Sequence, residues 1–221
     1  MIFKGSRNRF GFAALIGVSV AAMVSGSGHA SRTSGDATSG TWATTTLRDA
    51  AGHAIGKVGF SGWGRFVHVS VRVRLPADSA EFHGFHIHAN DNPANGSGCV
   101  ADPQQPSSTW FASVDGHWNP GGETHGHHDG DLPTLMRRAD GTAEMHFRLD
   151  KFAVRDVLAR AVIVHTGPDN VGNVPLGDAP NQYTANSQAA IDATKATGNA
   201  GNRFACGVLS GRRHPQPVSS G

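Results

Sequence analysis

The chain has 221 residues, enough for one domain with a substantial core, and its 19 basic and 17 acidic residues give a formal net charge of +2. Lys4, Arg7 and Arg9 are the charged residues of the first thirty, so removing that segment takes the net charge from +2 to −1. A near-neutral remainder excludes a strongly basic nucleic-acid-binding domain or a polybasic membrane segment, and Arg212-Arg213-His214 reads as a solvated tail.

At the N-terminus, the three basic residues precede an apolar run over 10–24, and Gly28-His29-Ala30 offers small residues for cleavage. Residues 1–30 are therefore expected to be a secretory signal peptide and the mature protein to be exported, to a periplasm or outside the cell. The apolar run is shorter than the ~20 residues of a spanning helix, so no stable membrane insertion is expected after cleavage. Residues 31–40, rich in Ser, Thr and Gly, read as a flexible lead-in, 41–210 as the folded domain, and 211–221 as a flexible tail.

Within the domain, strands are predicted at 41–47 and 54–60, on either side of the turn signal at Asp49-Ala50-Ala51-Gly52. The clearest strand is 65–75, where Val67, Val69, Val71, Val73 and Leu75 alternate with Phe66, His68, Ser70, Arg72 and Arg74. A period of two gives one apolar face and one polar face, whereas a helix would scatter these valines around its circumference. Further strands are predicted at 81–88, 142–149 and 160–165, and 151–158 is the one short helical candidate. Residues 89–134 and 166–202 are rich in Gly, Asn, Asp, Pro, Thr and Ser. They are too long for ordinary connections, so an all-β frame carrying two long functional loops is expected.

The chain has 13 histidines, many of them where strand patterns meet these loops. In "GFHIH", His86 and His88 project to the same face of an extended strand, so both imidazoles can reach one ion. "GHWNPGGETHGHHDGDLP" then offers His117, His125, His127, His128 and Asp131. Imidazoles with one carboxylate suit zinc or copper, whereas oxygen-only sets suit magnesium or calcium. His165 ends the apolar run "RAVIVH" and is by itself an ordinary strand-end histidine. Cys99 and Cys206 both lie in the exported part, where a disulfide is permitted; two separate buried thiols are the alternative.

From about Thr41 to Leu209 the sequence resembles the copper,zinc superoxide dismutase family, through several motifs that occur in the family's order. The resemblance implies a Greek-key β-sandwich or flattened barrel of about eight antiparallel strands, with a zinc/disulfide loop and an electrostatic loop. "GFHIH" resembles the strand with two copper ligands, implying those roles for His86 and His88. "GHWNP" resembles the segment of the bridging histidine, here His117, and "VIVH" supplies His165 as the remaining copper ligand. "HGHHDGDL" implies zinc ligation by His125, His128 and Asp131 together with His117, and His127 could replace either neighbouring histidine.

"GNAGNRFACGV" resembles the family's closing motif, which makes Arg203 the arginine that guides and orients superoxide and pairs Cys206 with Cys99. Asp169 falls where the family has a carboxylate that hydrogen-bonds one ligand of each metal. Lys195 sits one residue from the family's substrate-attracting lysine position, and a Pro/Gln/Ser stretch after Cys99 departs from the family pattern. The implied function is dismutation of superoxide to dioxygen and hydrogen peroxide with copper and zinc as cofactors. The alternative is a non-catalytic metal-binding or metal-delivery domain on the same fold. Superoxide is then the small-molecule partner, no nucleic acid is expected, and either a monomer or a homodimer is compatible with the sequence.

Overall fold

The computed structural model describes residues 40–172 and 188–212. The expected signal peptide, nearly all of the lead-in and the tail beyond Arg212 lie outside the described residues.

The described strands are β1 (Trp42–Arg48), β2 (Ala54–Trp63), β3 (Phe66–Arg74), β4 (Phe82–His83), β5 (Phe85–His88), β6 (Leu135–Met136), β7 (Thr142–Leu149), β8 (Ala161–His165), β9 (Arg203–Val208) and β10 (Ser210–Arg212). One curled antiparallel sheet runs β5-β8-β9-β1-β2-β3-β7, with β10 beside β1 and a separate β4-β6 pair. The all-β expectation is met. The sheet bends where β9 touches β1 through the single pair Arg48 and Cys206, while β10 returns to pair Trp42 with Arg212.

Curling brings the inner faces of the two halves together. Val67, Val69, Val71 and Val73 of β3 are each at most 2% exposed and share one core with Phe85 and Ile87 of β5 and Val162 and Val164 of β8. Burying each valine contributes about 1.5–3 kcal/mol relative to leaving it in water. The alternation in β3 thus decides which side of the sheet becomes the interior.

Four local features differ from the sequence expectations. The strand expected over 81–88 is broken at Gly84: β4 pairs with β6 off the main sheet, whereas β5 pairs with β8 inside it. The short helical candidate over 151–158 is a 3-10 turn at Val154–Val157. The second long loop contains a helix, α1 (Gln188–Thr197), and strand pairing continues to Arg212. No helix among the described residues is long and apolar enough to cross a membrane.

Candidate metal centre

Strand β5 is buried on both faces. Phe85 and Ile87 enter the main core, so the period of two turns His86 and His88 to the opposite face. There Ala161 and Ile163 of β8 pack with Phe111, Val114 and Cys206 beneath the first long loop. That loop also runs along the free edge of β5: Ala89 donates to the Gly116 carbonyl, Ile87 donates to Gly130 and Trp118 donates to Ile87, at 3.0, 2.8 and 2.8 Å. These backbone bonds carry His117 opposite His88 and Asp131 opposite His86. Gly130 makes the approach possible, because a Cβ there would overlap the Ile87 carbonyl oxygen.

One ring nitrogen each of His86, His88, His117 and His165 lie within 4.8 Å of one another, and all four residues are buried. Their other nitrogens are engaged. His86 Nε2 lies 2.9 Å from Asp169 Oδ2, His88 Nδ1 donates to the Asp115 carbonyl at 2.8 Å, and His165 Nδ1 donates to the Gly201 carbonyl at 3.1 Å. His117 Nδ1 lies 3.2 Å from Asp131 Oδ1. His86 Nδ1 and the Nε2 atoms of His88, His117 and His165 are left buried with no hydrogen-bond partner among the described residues. Four orphaned acceptors are costly in an interior unless a cation takes their lone pairs, so this set fits a metal.

On the other side of His117, His128 Nδ1 lies 3.4 Å from His117 Nδ1 and 3.3 Å from Asp131 Oδ1. His125 Nε2 is 3.0 Å from Asp169 Oδ1 and 3.8 Å from Asp131 Oδ1. By proximity alone, His86 groups with His117, His125 and Asp131 within the same 4.8 Å limit. His86 is already committed to Asp169 and the all-histidine set, whereas His128 turns Nε2 to the Glu123 carbonyl at 3.1 Å and Nδ1 to the cluster. His128 thus stands beside His117 and Asp131 as a further donor facing the same space. His127 is exposed and stands outside both groups.

Asp131 Oδ2 accepts from the Gly126 and His128 amides at 2.7 and 3.0 Å, which leaves Oδ1 facing the histidines. Burial would raise the Asp131 pKa, but hydrogen bonds from His117 and His128 outweigh it and hold the carboxyl far below the usual range. Asp169 behaves alike through His125 and His86. Burial pushes His117 down to about 4 against the opposing Asp131 hydrogen bond, and, reinforced by neighbouring charges, pushes His165 down to about 3 and lowers His88 strongly. These imidazoles are neutral near pH 7, as ligation requires. Burial also opposes charge on His125, where the Asp169 and Asp131 carboxylates prevail and raise the pKa.

Arg203, opposite His165 across β8 and β9, donates to the Phe111 and Asp115 carbonyls. Burial lowers its pKa and Asp115 partly offsets this, while its charge in turn lowers the pKa values of His88 and His165. The Asp115 carbonyl thus links His88 to Arg203, and its carboxylate accepts from the Asp91 and Asn92 amides and from Asn95 Nδ2. Cys99 and Cys206 are disulfide-bonded across 107 residues, tying the same loop to β9.

The carbonyl of Lys195 accepts from the His125 amide at 2.7 Å, fastening α1 to the His125 segment, while its side chain is exposed. Gly198 caps α1 with a positive φ of 59°, and a Cβ there would overlap His125 and Asp169. Sequence reasoning missed Asp115, whose signal was the turn dipeptide Asp115-Gly116 before His117. It also missed Lys151, whose Nζ donates to the carbonyls of His128 and Asp131 at 2.9 and 3.2 Å.

The curled sheet and two buried histidine-rich sets sharing His117 define a β-protein built to hold two metal ions side by side. Residues 54–209 match the model of the copper/zinc superoxide dismutase (SODC) family, and the chain belongs to this family. A superoxide dismutase [Cu-Zn] of Mycobacterium bovis (strain ATCC BAA-935 / AF2122/97) is 34% identical over 136 residues, covering 58% of this chain and 52% of the relative. One of Mycolicibacterium paratuberculosis (strain ATCC BAA-968 / K-10) is 37% identical over 131 residues, covering 58% of this chain and 56% of the relative. The chain spans about half the length of these curated relatives. The fold is similar to that of the Cu/Zn superoxide dismutase from Brucella abortus, with a TM-score of 0.52 and 24% identity, covering 76% of this chain and 99% of that one.

Proposed function

We propose that the protein is an exported enzyme that converts two superoxide anions and two protons to dioxygen and hydrogen peroxide. The reading is carried by the convergence of four buried, unpartnered imidazole nitrogens beside a fixed arginine. His86, His88, His117 and His165 would hold copper, and His117, His125, His128 and Asp131 would hold zinc. When bound, copper supplies the one-electron exchange that dismutation needs, which d¹⁰ zinc cannot.

The remaining work belongs to the chain. Asp169 sets the tautomer of His86 by accepting at Nε2 and faces His125 Nε2 with its other oxygen at 3.0 Å, and the Asp115 and Gly201 carbonyls fix the tautomers of His88 and His165. Arg203 is a planar, permanently charged donor held by two carbonyls, suited to capturing and orienting a small anion. Its charge also raises the local concentration of superoxide, an effect that salt screens. His117 Nε2 is the atom assigned to hold a proton whenever it does not hold copper.

Export accords with the intact disulfide and with the signal-peptide pattern of residues 1–30. A metal carrier has no use for an anion-holding arginine, which favours the enzyme. The test is metal analysis of the purified protein with a superoxide-decay assay before and after copper removal and restoration. Activity that disappears and returns with copper is expected; a copper-loaded protein without activity overturns the proposal.

A further inference from the structure

The solvent face of β10, β1, β2, β3 and β7 uses none of the metal-centre residues. Directly opposed residues on neighbouring strands project to the same side of a sheet. One row across this face is therefore Arg212, Trp42, Ser61, His68 and Arg148, and another is Thr46, Lys57, Arg72 and Glu144. With Arg48 and Arg74, six exposed cations share the described strand face with one carboxylate, Glu144, which lies 3.5 Å from both Arg72 and Arg138. Asp140 adds an acidic group beside Arg138 and Arg74 at one edge. Such an excess is not a reflection of a chain whose net charge is only +2.

The face is also furrowed. A groove of about 470 Å³ is lined by Trp42, Thr44, Ser61, His68, Ser70 and Arg148, and another of about 300 Å³ on the same face is lined by Lys57, Arg72 and Arg74. Gly59, between Thr44 and Ser70, leaves the floor of the larger groove without a side chain. At its end, Trp42 and Trp63 are 43% and 61% exposed, and Trp63 meets His68 edge-on at 5.1 Å. His68 Nε2 is shielded from solvent and has no hydrogen-bond partner among the described residues.

We propose that this outer sheet face binds an acidic polysaccharide chain, with sugar rings stacked on Trp42 and carboxylate or sulfate groups held by the surrounding arginines. The apolar face of a sugar ring matches an exposed indole, and its hydroxyls match Thr44, Ser61 and Ser70. Anionic substituents match the six cations. A groove admits a linear chain, whereas a planar bilayer cannot reach its floor, and a neutral glycan would gain nothing from the positive charge.

The test is titration of the full chain with polygalacturonate oligomers, read by tryptophan fluorescence, beside neutral dextran, phosphatidylglycerol vesicles and an oligothymidylate. Saturable polygalacturonate binding that weakens with salt is expected, with no response to dextran. The double variant Arg148→Gln/Arg212→Gln and, separately, Trp42→Ala should each weaken it about tenfold, with superoxide decay unchanged as the check on folding. Absence of saturable polygalacturonate binding, equal binding by both variants, or tighter binding of the vesicles or the oligothymidylate overturns the proposal.

Discussion

Replacing Asp169 by asparagine tests how one carboxylate serves both ligand sets. Asp169 is buried and faces His86 Nε2 at 2.9 Å and His125 Nε2 at 3.0 Å, using a different oxygen for each. A carboxylate accepts at both oxygens, so both rings can carry their proton at Nε2 and turn Nδ1 toward the metals. Asparagine is almost isosteric but accepts with one end and donates with the other. One of the two rings then faces an N–H and must present a lone pair, which moves its own proton to Nδ1, the ligating atom.

Loss of such a supporting partner typically costs 10–100-fold in metal affinity, or about 1.4–2.8 kcal/mol. Because the amide can turn either way, the loss falls on copper through His86 or on zinc through His125, and at least one of the two must weaken. Competitive chelator titrations of both metals on wild type and Asp169→Asn measure it, with circular dichroism as the check that the sheet is intact. Both affinities within twofold of wild type would refute the assignment of Asp169 as the tautomer-fixing group.

Three further outcomes follow from the same geometry. In the metal-free protein, His88, His117 and His165 have folded pKa values below the unfolded value near 6.5, so the unfolded chain takes up protons first as pH falls. Stability should drop below about pH 6.5, by about 1.4 kcal/mol per pH unit for each histidine, until His117 and His165 titrate near 4 and 3; a urea midpoint flat from pH 7 to 5 contradicts this. Gly130→Ala should push the loop off the Ile87 carbonyl, costing about 1–3 kcal/mol in stability and lowering zinc content, as chemical denaturation and metal analysis would register. Arg203→Ile should lower superoxide turnover severalfold or more with copper still bound, and unchanged activity at full copper loading would show that the arginine has no part in anion capture.

The sequence by itself determined the strand faces and the candidate metal-binding side chains. Alternation in β3 fixes which valines face inward, and the spacing of His86 and His88 puts both imidazoles on one side of β5 whatever else the chain does. These are consequences of the backbone period, so they are legible without a partner. The motif resemblance then anticipated His117, His165, Asp169 and the Cys99–Cys206 pair, all of which meet in the fold.

Tertiary structure alone decided the rest, because each remaining feature depends on segments far apart in sequence coming together. His128 rather than His127 turns inward, with Asp131 Oδ1 beside its Nδ1 and the Glu123 carbonyl at its Nε2. Asp115 gains its role from a backbone carbonyl, an atom every residue carries and no composition can single out. The basic outer face draws on residues scattered from Arg48 to Arg212, and strand register makes them neighbours. Local sequence sets the side of the strand to which a residue points; only the closed fold sets what lies across from it.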